Sequence, residues 1–444
     1  MNLRISVFLL FITASVSVFG QTTAKYDNLS SQAALVSEFD VNGLKVIVKR
    51  RPSSPTVAGG LFFRGGARNI TDKNAGIERL MLASAIEAGK NTPRATVRRE
   101  LSRMGSTIGS AVSNDYSVVS IATTRPDFEK AFSLFAEVIM NPAFAEDDIK
   151  RNKEQILAGL RESGSVPESA LESLQDRVIY TGHPYANDVN GTVATIGALT
   201  AADLKAYHAK MMETSRLLLV IVGDLDAAQL KTMIASSFGK LPKGTYKDQE
   251  YPALSFTAGS LDTVQRSLPT NYLKGTFAAP GLGNADYYAM RVAMSILQTL
   301  VYQEVRGRLQ LSYAPDADMN SFLANTANIS VSTTDPNTAT AAMLNQIRFL
   351  QQRDLPDGVI DEIASFFLTR YYMGQETSVA QAGELAKYEL IGGGWKNSFE
   401  FINGVKAVKP ADVKTVAGKY IKNIRFTYIG DTNIVTRSIF VPQG

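Results

Sequence analysis

The stretch Leu217-Leu218-Leu219-Val220-Ile221-Val222-Gly223-Asp224 is a continuous apolar run that predicts a strand ending at a Gly-Asp pair. A helix that begins at Ala202-Asp203-Leu204-Lys205 precedes it. The same order returns about 200 residues later, where Ala411-Asp412-Val413-Lys414 leads to Phe426-Thr427-Tyr428-Ile429-Gly430-Asp431. Two similar halves, each closing with helix, strand and Gly-Asp, predict a duplicated domain.

The residues before this stretch alternate between strand and helix signals. Asn42-Gly43 lies between alternating apolar residues and predicts a β-hairpin. Another strand is predicted near 57–63, and two more flank Ser113-Asn114-Asp115. Helices are predicted at about 73–88, 95–104, 128–139 and 147–162. Antiparallel strands in groups, with helices between the groups, predict an α+β fold.

Four segments follow from this organisation: a signal peptide at 1–20, an N-terminal domain at 27–243, a linker at 244–260 and a C-terminal domain at 261–444. The linker lies in the polar stretch Lys240 to Ser260, which contains several prolines and glycines. Each of the two predicted domains is about 200 residues long, a usual domain size.

The N-terminus predicts export. Arg4 precedes an apolar run, Ile5 to Phe19, that is too short to span a bilayer and ends in small residues. A cleaved secretory signal is therefore predicted, with the mature chain starting near Gln21; a retained membrane anchor is the alternative. No later run approaches spanning length, and the chain has no cysteine. These features predict a soluble periplasmic protein without disulfides.

Charge and composition argue against a nucleic-acid-binding protein and predict a globular chain. The formal net charge is +4, and basic residues are interspersed with acidic ones, which makes nucleic acid an unexpected partner. Hydrophobic residues make up 45% of the chain, enough for substantial buried cores.

Several landmarks occur in a specific order, from Phe63-Arg64-Gly65-Gly66-Ala67-Arg68 through Ala75-Gly76 to His183-Pro184-Tyr185 and Asn190-Gly191-Thr192. With Leu217 to Asp224, they resemble the inverted zincins: pitrilysin, insulin-degrading enzyme, mitochondrial processing peptidase and their short bacterial relatives. The resemblance implies that each half is an α+β domain. Two such homologous α/β-sandwich domains would form one jaw of a clamshell around a chamber for peptides.

The resemblance also implies where zinc would bind. Active members carry His-x-x-Glu-His on the first helix and a third ligand, a glutamate, about 76 residues beyond the second histidine. Here the matching positions hold non-ligands, so no metal is expected on this chain: Arg79, Leu82, Ala83 and Gly159. Glu78 and Glu87 are predicted to be solvated surface residues, and His183 and His208 to have structural roles.

The second half retains a different motif. Arg306 and Tyr313 are seven residues apart, in a segment that resembles the one in which family members carry an arginine and a tyrosine. In those members the arginine and tyrosine reach across the chamber to the substrate bound at the zinc of the partner half. Both side chains can donate hydrogen bonds to the scissile carbonyl, on which negative charge develops during attack. If the alignment with the family motif is shifted, Arg308 is the neighbouring candidate for the arginine.

The leading hypothesis is a non-metal-binding subunit of a heterodimeric zinc metallopeptidase. It would be inactive alone and would pair with a homologous zinc-binding chain that carries His-x-x-Glu-His to degrade peptides. Two alternatives stay open: a non-catalytic structural or assembly subunit, and a peptide-binding protein of the holdase type that adds peptides to a sheet edge.

Overall fold

The computed structural model describes residues 29–441, so the predicted signal segment 1–20 lies outside the described residues. Within residues 29–441, no helix combines the length and apolar character needed to cross a membrane. The strands of this part of the chain are β1 (Val36–Val41), β2 (Leu44–Arg50), β3 (Thr56–Arg64), β4 (Thr107–Val112), β5 (Tyr116–Thr124), β6 (Leu217–Gly223), β7 (Ser260–Gln265), β8 (Asn271–Ala278), β9 (Asp316–Met319), β10 (Thr326–Thr333) and β11 (Arg425–Gly430).

The α-helices of the same residues surround these strands. They are α1 (Leu29–Ala33), α2 (Ile77–Ala85), α3 (Arg94–Arg103), α4 (Phe128–Met140), α5 (Glu146–Ser165), α6 (Pro167–Ile179), α7 (Val193–Ala198), α8 (Ala201–Met211), α9 (Ala227–Ser236), α10 (Tyr287–Val301), α11 (Pro336–Gln352), α12 (Val359–Gly374), α13 (Ser378–Ile391), α14 (Phe401–Lys406), α15 (Pro410–Tyr420) and α16 (Arg437–Phe440).

The described strands form two sheets with the same topology. The first has the order β1-β2-β6-β3-β5-β4, and the second has the order β7-β11-β8-β10-β9. In each sheet the closing strand, β6 or β11, pairs parallel with the opening strand, β2 or β7, and antiparallel with the next. The second sheet thus repeats the first without a counterpart of β1, which confirms the predicted α+β fold with two homologous halves.

Local chemistry explains why the repeated helix is recognisable in the sequence. At the start of α8, the Asp203 carboxylate accepts a hydrogen bond from the Thr200 backbone N–H at 2.8 Å. At the start of α15, Asp412 accepts one from the Lys409 N–H at 2.9 Å. Both aspartates occupy the third helical position, where they satisfy a free N–H group at the helix N-terminus.

The hairpin and the first long helix also follow from backbone constraints. Asn42 and Gly43 have φ values of 52° and 84°, as a type I′ turn requires, and join β1 to β2 as predicted. The helix predicted over about 73–88 is shorter than expected. It starts only at Ile77 because Gly76 has a φ of 82°, which is incompatible with the right-handed helix.

The apolar run that forms β6 is buried on both faces. Leu219 and Ile221 contribute to the core between the first sheet and its helices. Leu218 and Val220 face the opposite side and pack with Leu385 of α13, which belongs to the second half. A strand covered on both faces needs apolar residues at every position, which accounts for the unbroken run.

The second sheet is covered in a corresponding way. Leu171 and Leu174 of α6, a helix of the first half, pack against Ile429 of β11. Each half therefore supplies a helix to the outer face of the other half's sheet, an exchange that the sequence pattern did not reveal. The two halves pack together through these buried apolar contacts.

A buried polar cluster also joins the halves. Asp115, between β4 and β5, accepts hydrogen bonds from the Tyr185 hydroxyl and, at 3.2 Å, from the Leu323 backbone N–H of the second half. The Tyr185 hydroxyl in turn accepts a hydrogen bond from the Ala324 N–H at 3.4 Å. Burial raises the pKa of Asp115 above its ordinary range.

Candidate functional site

Helices α2 and α5 bring together three of the four positions predicted to correspond to metal-site residues. Arg79 and Ala83 of α2 and Gly159 of α5 line one cavity of about 750 Å³. Asn152, seven residues before Gly159 on the same face of α5, also lines it. Leu82 differs, because it is buried in the hydrophobic core of the first half and does not line this cavity.

The side chains at these positions do not fit a resident zinc ion. A guanidinium is always cationic, and alanine and glycine carry no side-chain donor atom. The Asn152 amide is already used, since its Nδ2 donates to the Ala83 carbonyl oxygen at 3.2 Å. Among residues 29–441, no group of three or more His, Cys, Asp or Glu side chains is placed to hold a metal ion.

Glu78 is not the surface residue that was predicted. Its side chain is buried at 4% exposure, because α2 packs against α8. Oε2 accepts hydrogen bonds from the Tyr207 hydroxyl at 2.6 Å and from Asn69 Nδ2 at 3.3 Å. Burial raises the pKa of Glu78 above its ordinary value. Glu87, in contrast, is partly exposed and pairs with Arg94 at 2.6 Å.

Both histidines have structural contacts, as predicted. His183 Nδ1 accepts a hydrogen bond from the Tyr185 backbone N–H at 3.1 Å, and its ring stacks on Tyr251 with 5.2 Å between centroids. His208 Nε2 is 2.7 Å from the Ile139 carbonyl oxygen, which accepts its hydrogen bond. Burial lowers the pKa of both imidazoles. A neutral imidazole suits both surroundings.

The structure brings Arg306 and Tyr313 into contact. After α10 the chain continues as a π-helical segment, Tyr302–Arg308, and then reverses direction at Gln310, which has a φ of 54°. The Leu311 N–H closes the reversal by donating to the Val305 carbonyl oxygen at 2.9 Å. Wide helical turns of this kind occur often at functional sites.

The reversal places the Arg306 guanidinium between two aromatic rings. Its carbon lies 4.0 Å from the ring centroid of Tyr313 and 4.9 Å from that of Tyr302. Nη1 donates to the Tyr313 carbonyl oxygen at 3.1 Å. Tyr313 is 80% exposed, so its phenol faces outward from a backbone that the arginine holds. Tyr302 was not singled out from the sequence, although its position four residues before Arg306 was a usable signal.

Arg308, the alternative candidate, is occupied elsewhere. Its Nε donates to Glu304 Oε2 at 2.8 Å, and its Nη2 bonds the other carboxylate oxygen. This bidentate hydrogen bonding holds the pKa of Glu304 below its usual range. Arg306, in contrast, forms no ion pair with any carboxylate in the described part of the chain. Its guanidinium is therefore the one available to an incoming acceptor.

Two family descriptions match adjacent parts of the chain. Residues 45–193 match the family described as "Insulinase (Peptidase family M16)", and residues 198–365 match "Peptidase M16 inactive domain". Cytochrome b-c1 complex subunit 1 of Bos taurus is 26% identical over 295 residues, which cover 66% of this chain and 59% of that protein. The chain thus spans less than two thirds of that relative's length.

Other relatives are matched over more of their length. The mitochondrial-processing peptidase subunit beta of Blastocladiella emersonii is 22% identical over 406 residues, covering 86% of this chain and 84% of that protein. A solved peptidase M16 inactive domain from Pseudomonas fluorescens superimposes with a TM-score of 0.81 at 21% identity, over 89% of this chain and 98% of that one. On the two family matches and this shared fold, the chain belongs to the peptidase M16 family.

Proposed function

We propose that this chain is the zinc-less subunit of a heterodimeric zinc metallopeptidase of the periplasm. The observation that carries the proposal is the pairing of an exposed Tyr313 with an Arg306 whose guanidinium has no carboxylate partner among residues 29–441. The metal-site positions of the same chain hold Arg79, Ala83 and Gly159, which cannot bind zinc.

In this role Arg306 and Tyr313 act on the substrate carbonyl group. The guanidinium has five N–H donors, of which one bonds the Tyr313 backbone, and the phenol adds an O–H donor. Directed at the scissile carbonyl oxygen, these donors stabilise the negative charge that develops as the peptide bond is attacked. The two flanking rings limit the motion of the guanidinium, so less conformational entropy is lost when it engages the oxygen.

The partner in this proposal is a homologous chain with His-x-x-Glu-His, which supplies the zinc needed to activate water. Peptides would lie between the two chains. On this chain, β4 is a sheet edge that pairs only with β5 among the described strands, and its residues Ser110, Ala111 and Val112 line the cavity of Arg79. Such an edge suits an extended peptide, which can add to it as a further strand.

Reconstitution tests the proposal. The mature chain is purified alone and together with the His-x-x-Glu-His chain, and zinc content and peptide cleavage are measured for each preparation. The proposal predicts zinc and cleavage in the pair, with neither in this chain alone. Stoichiometric zinc or cleavage in the isolated chain would exclude the divided site. A pair in which the partner's motif glutamate is changed to glutamine is the control for cleavage by the pair, and it should be inactive.

A second candidate function is a non-catalytic assembly subunit. The similarity to cytochrome b-c1 complex subunit 1 favours it, because that protein is named as a subunit of a larger complex. Under this alternative the chain would co-purify with a larger complex, and replacing Arg306 would change neither its assembly nor any cleavage activity. A loss of cleavage in the Arg306→Lys pair would distinguish the two functions.

A further inference from the structure

Arg79 is a cation in a cavity without a carboxylate partner. Its Nη1 donates to the Asn190 carbonyl oxygen at 3.3 Å, and no described residue forms an ion pair with it. The side chain is partly buried, so its charge is less well solvated than that of a free surface arginine. A negatively charged group that enters the cavity would meet this guanidinium.

The neighbouring positions leave room for such a group. Ala83, one turn along α2, carries only a methyl group, and Gly159 on the facing helix carries no side chain. A Cβ atom built at Gly159 would have no heavy atom within 4 Å, so the space beside it is open. Asn152 also lines the cavity, and its buried amide donates to the Ala83 carbonyl oxygen of α2.

The cavity lies beside the free edge of a sheet. Ser110, Ala111 and Val112 at the end of β4 line it, and β4 has no second strand partner in residues 29–441. An extended peptide along this edge would direct alternate side chains to one face, and its C-terminus could also end there. Both arrangements can deliver a carboxylate to Arg79.

We propose that the Arg79 cavity is a carboxylate-binding site for peptides, which gives this chain a preference for peptides that carry an acidic side chain or a free C-terminus at this point. The inference deepens the proposed function and rests on it for the arrival of peptides at this chain. The non-ligand residues in the metal-site positions thus acquire a binding role of their own.

Glu162 is the opposing charge in the same cavity. It is exposed near the end of α5 and forms no ion pair with Arg79. Its carboxylate would repel an acidic ligand, so the inference predicts that Glu162→Gln tightens the binding of acidic peptides while Arg79→Gln weakens it. Opposite effects from two residues of one cavity are not expected from a loss of folding.

The test uses the isolated mature chain and three fluorescent peptides of one sequence, followed by anisotropy. One peptide carries a glutamate and an amidated C-terminus, one carries glutamine in its place and an amidated C-terminus, and one carries glutamine and a free C-terminal carboxylate. At least one of the two charged peptides should bind about two- to fivefold more tightly than the neutral one, as expected for a partly exposed ion pair. Which of the two shows the preference identifies the source of the carboxylate.

Variants assign the preference to the cavity. Arg79→Gln should abolish it and Arg79→Lys should retain part of it, since lysine keeps the charge but loses the planar fork. Arg161→Gln removes an equal charge from an exposed position of α5 outside the cavity and should leave the preference intact.

Equal affinity for the three peptides, no measurable peptide binding, or the same loss in Arg161→Gln as in Arg79→Gln would overturn the inference. Cleavage by the assembled pair is a separate readout. A pair that cleaves normally, while its zinc-less chain shows no carboxylate preference, would exclude the carboxylate site but not the divided active site. An inactive pair with an intact preference would exclude only the divided site.

Discussion

Replacing Glu78 with glutamine should change how stability depends on pH. The carboxyl group is buried, its Oε2 accepts two hydrogen bonds, and its Oε1 has no hydrogen-bond partner among the described residues. Burial raises the pKa of Glu78 above 4.5, its ordinary value, so the folded state favours the protonated acid. Its contribution to stability is fully present below pH 4.5 and is lost as pH rises towards the raised pKa.

The magnitude follows from proton linkage. In the window between the ordinary and the raised pKa, the folded state holds up to one proton more than the unfolded state. The free energy of unfolding of the wild type therefore falls by up to about 1.4 kcal/mol per pH unit from this residue. Glu78→Gln keeps a carbonyl oxygen that can accept from Tyr207 and Asn69 but does not titrate. The free energy of unfolding of the variant should therefore increase relative to that of the wild type as pH rises.

Urea unfolding, followed by circular dichroism from about pH 3 to 7, measures this difference, because the range covers pH values on both sides of the ordinary glutamate pKa. Glu38→Gln is the control with the opposite sign. Hydrogen bonds from Trp395 Nε1, at 2.7 Å, and from Lys45 hold the pKa of Glu38 below its usual range. The contribution of Glu38 is present above pH 4.5 and is lost as pH falls. Parallel pH curves for the wild type and Glu78→Gln would refute the conclusion that burial raises the pKa of Glu78.

Two further perturbations test the joint between the halves and the geometry of the cavity. Tyr185→Phe removes a buried donor from a carboxylate and should lower the free energy of unfolding by about 1.5–3 kcal/mol in urea titrations. Tyr251→Phe, whose hydroxyl donates to neutral carbonyl oxygens at 3.3 Å, should cost about 1 kcal/mol or less, and equal losses would contradict the assignment. The triple variant Arg79→His, Ala83→His and Gly159→Glu should bind about one zinc per chain by elemental analysis, since two histidines and a glutamate complete a common ligand set. Zinc content no higher than in the wild type would show that these positions do not converge.

Features that rest on local chemistry could be predicted from the sequence. The hairpin at Asn42-Gly43 requires positive φ values that these residues adopt easily, and the repeated helix starts carry aspartates that cap them. The unbroken apolar run of β6 was recognisable for the same reason, because each of its side chains meets a core.

Features that depend on packing between distant parts of the chain could not be predicted from the sequence. The burial of Glu78 results from Tyr207 and Asn69, which are brought to it by other elements. The exchange of α6 and α13 between the halves leaves no periodic signal beyond ordinary amphipathic helices. The pairing of Arg306 with Tyr313 was predicted from the family resemblance. Spacing alone could not predict it, because their proximity depends on a π-helical segment and a positive φ at Gln310.

The divided active site is tested most directly by the cleavage rate of the assembled pair with Arg306→Lys or Tyr313→Phe in this chain. Each variant removes or displaces one donor, so kcat/KM should fall by about 10²- to 10³-fold, with zinc content and pair assembly unchanged. Arg308→Lys, which alters a residue bonded to Glu304, is the matched control and should keep most of the activity. Wild-type turnover in the Arg306→Lys and Tyr313→Phe pairs would contradict the claim that this chain completes its partner's active site.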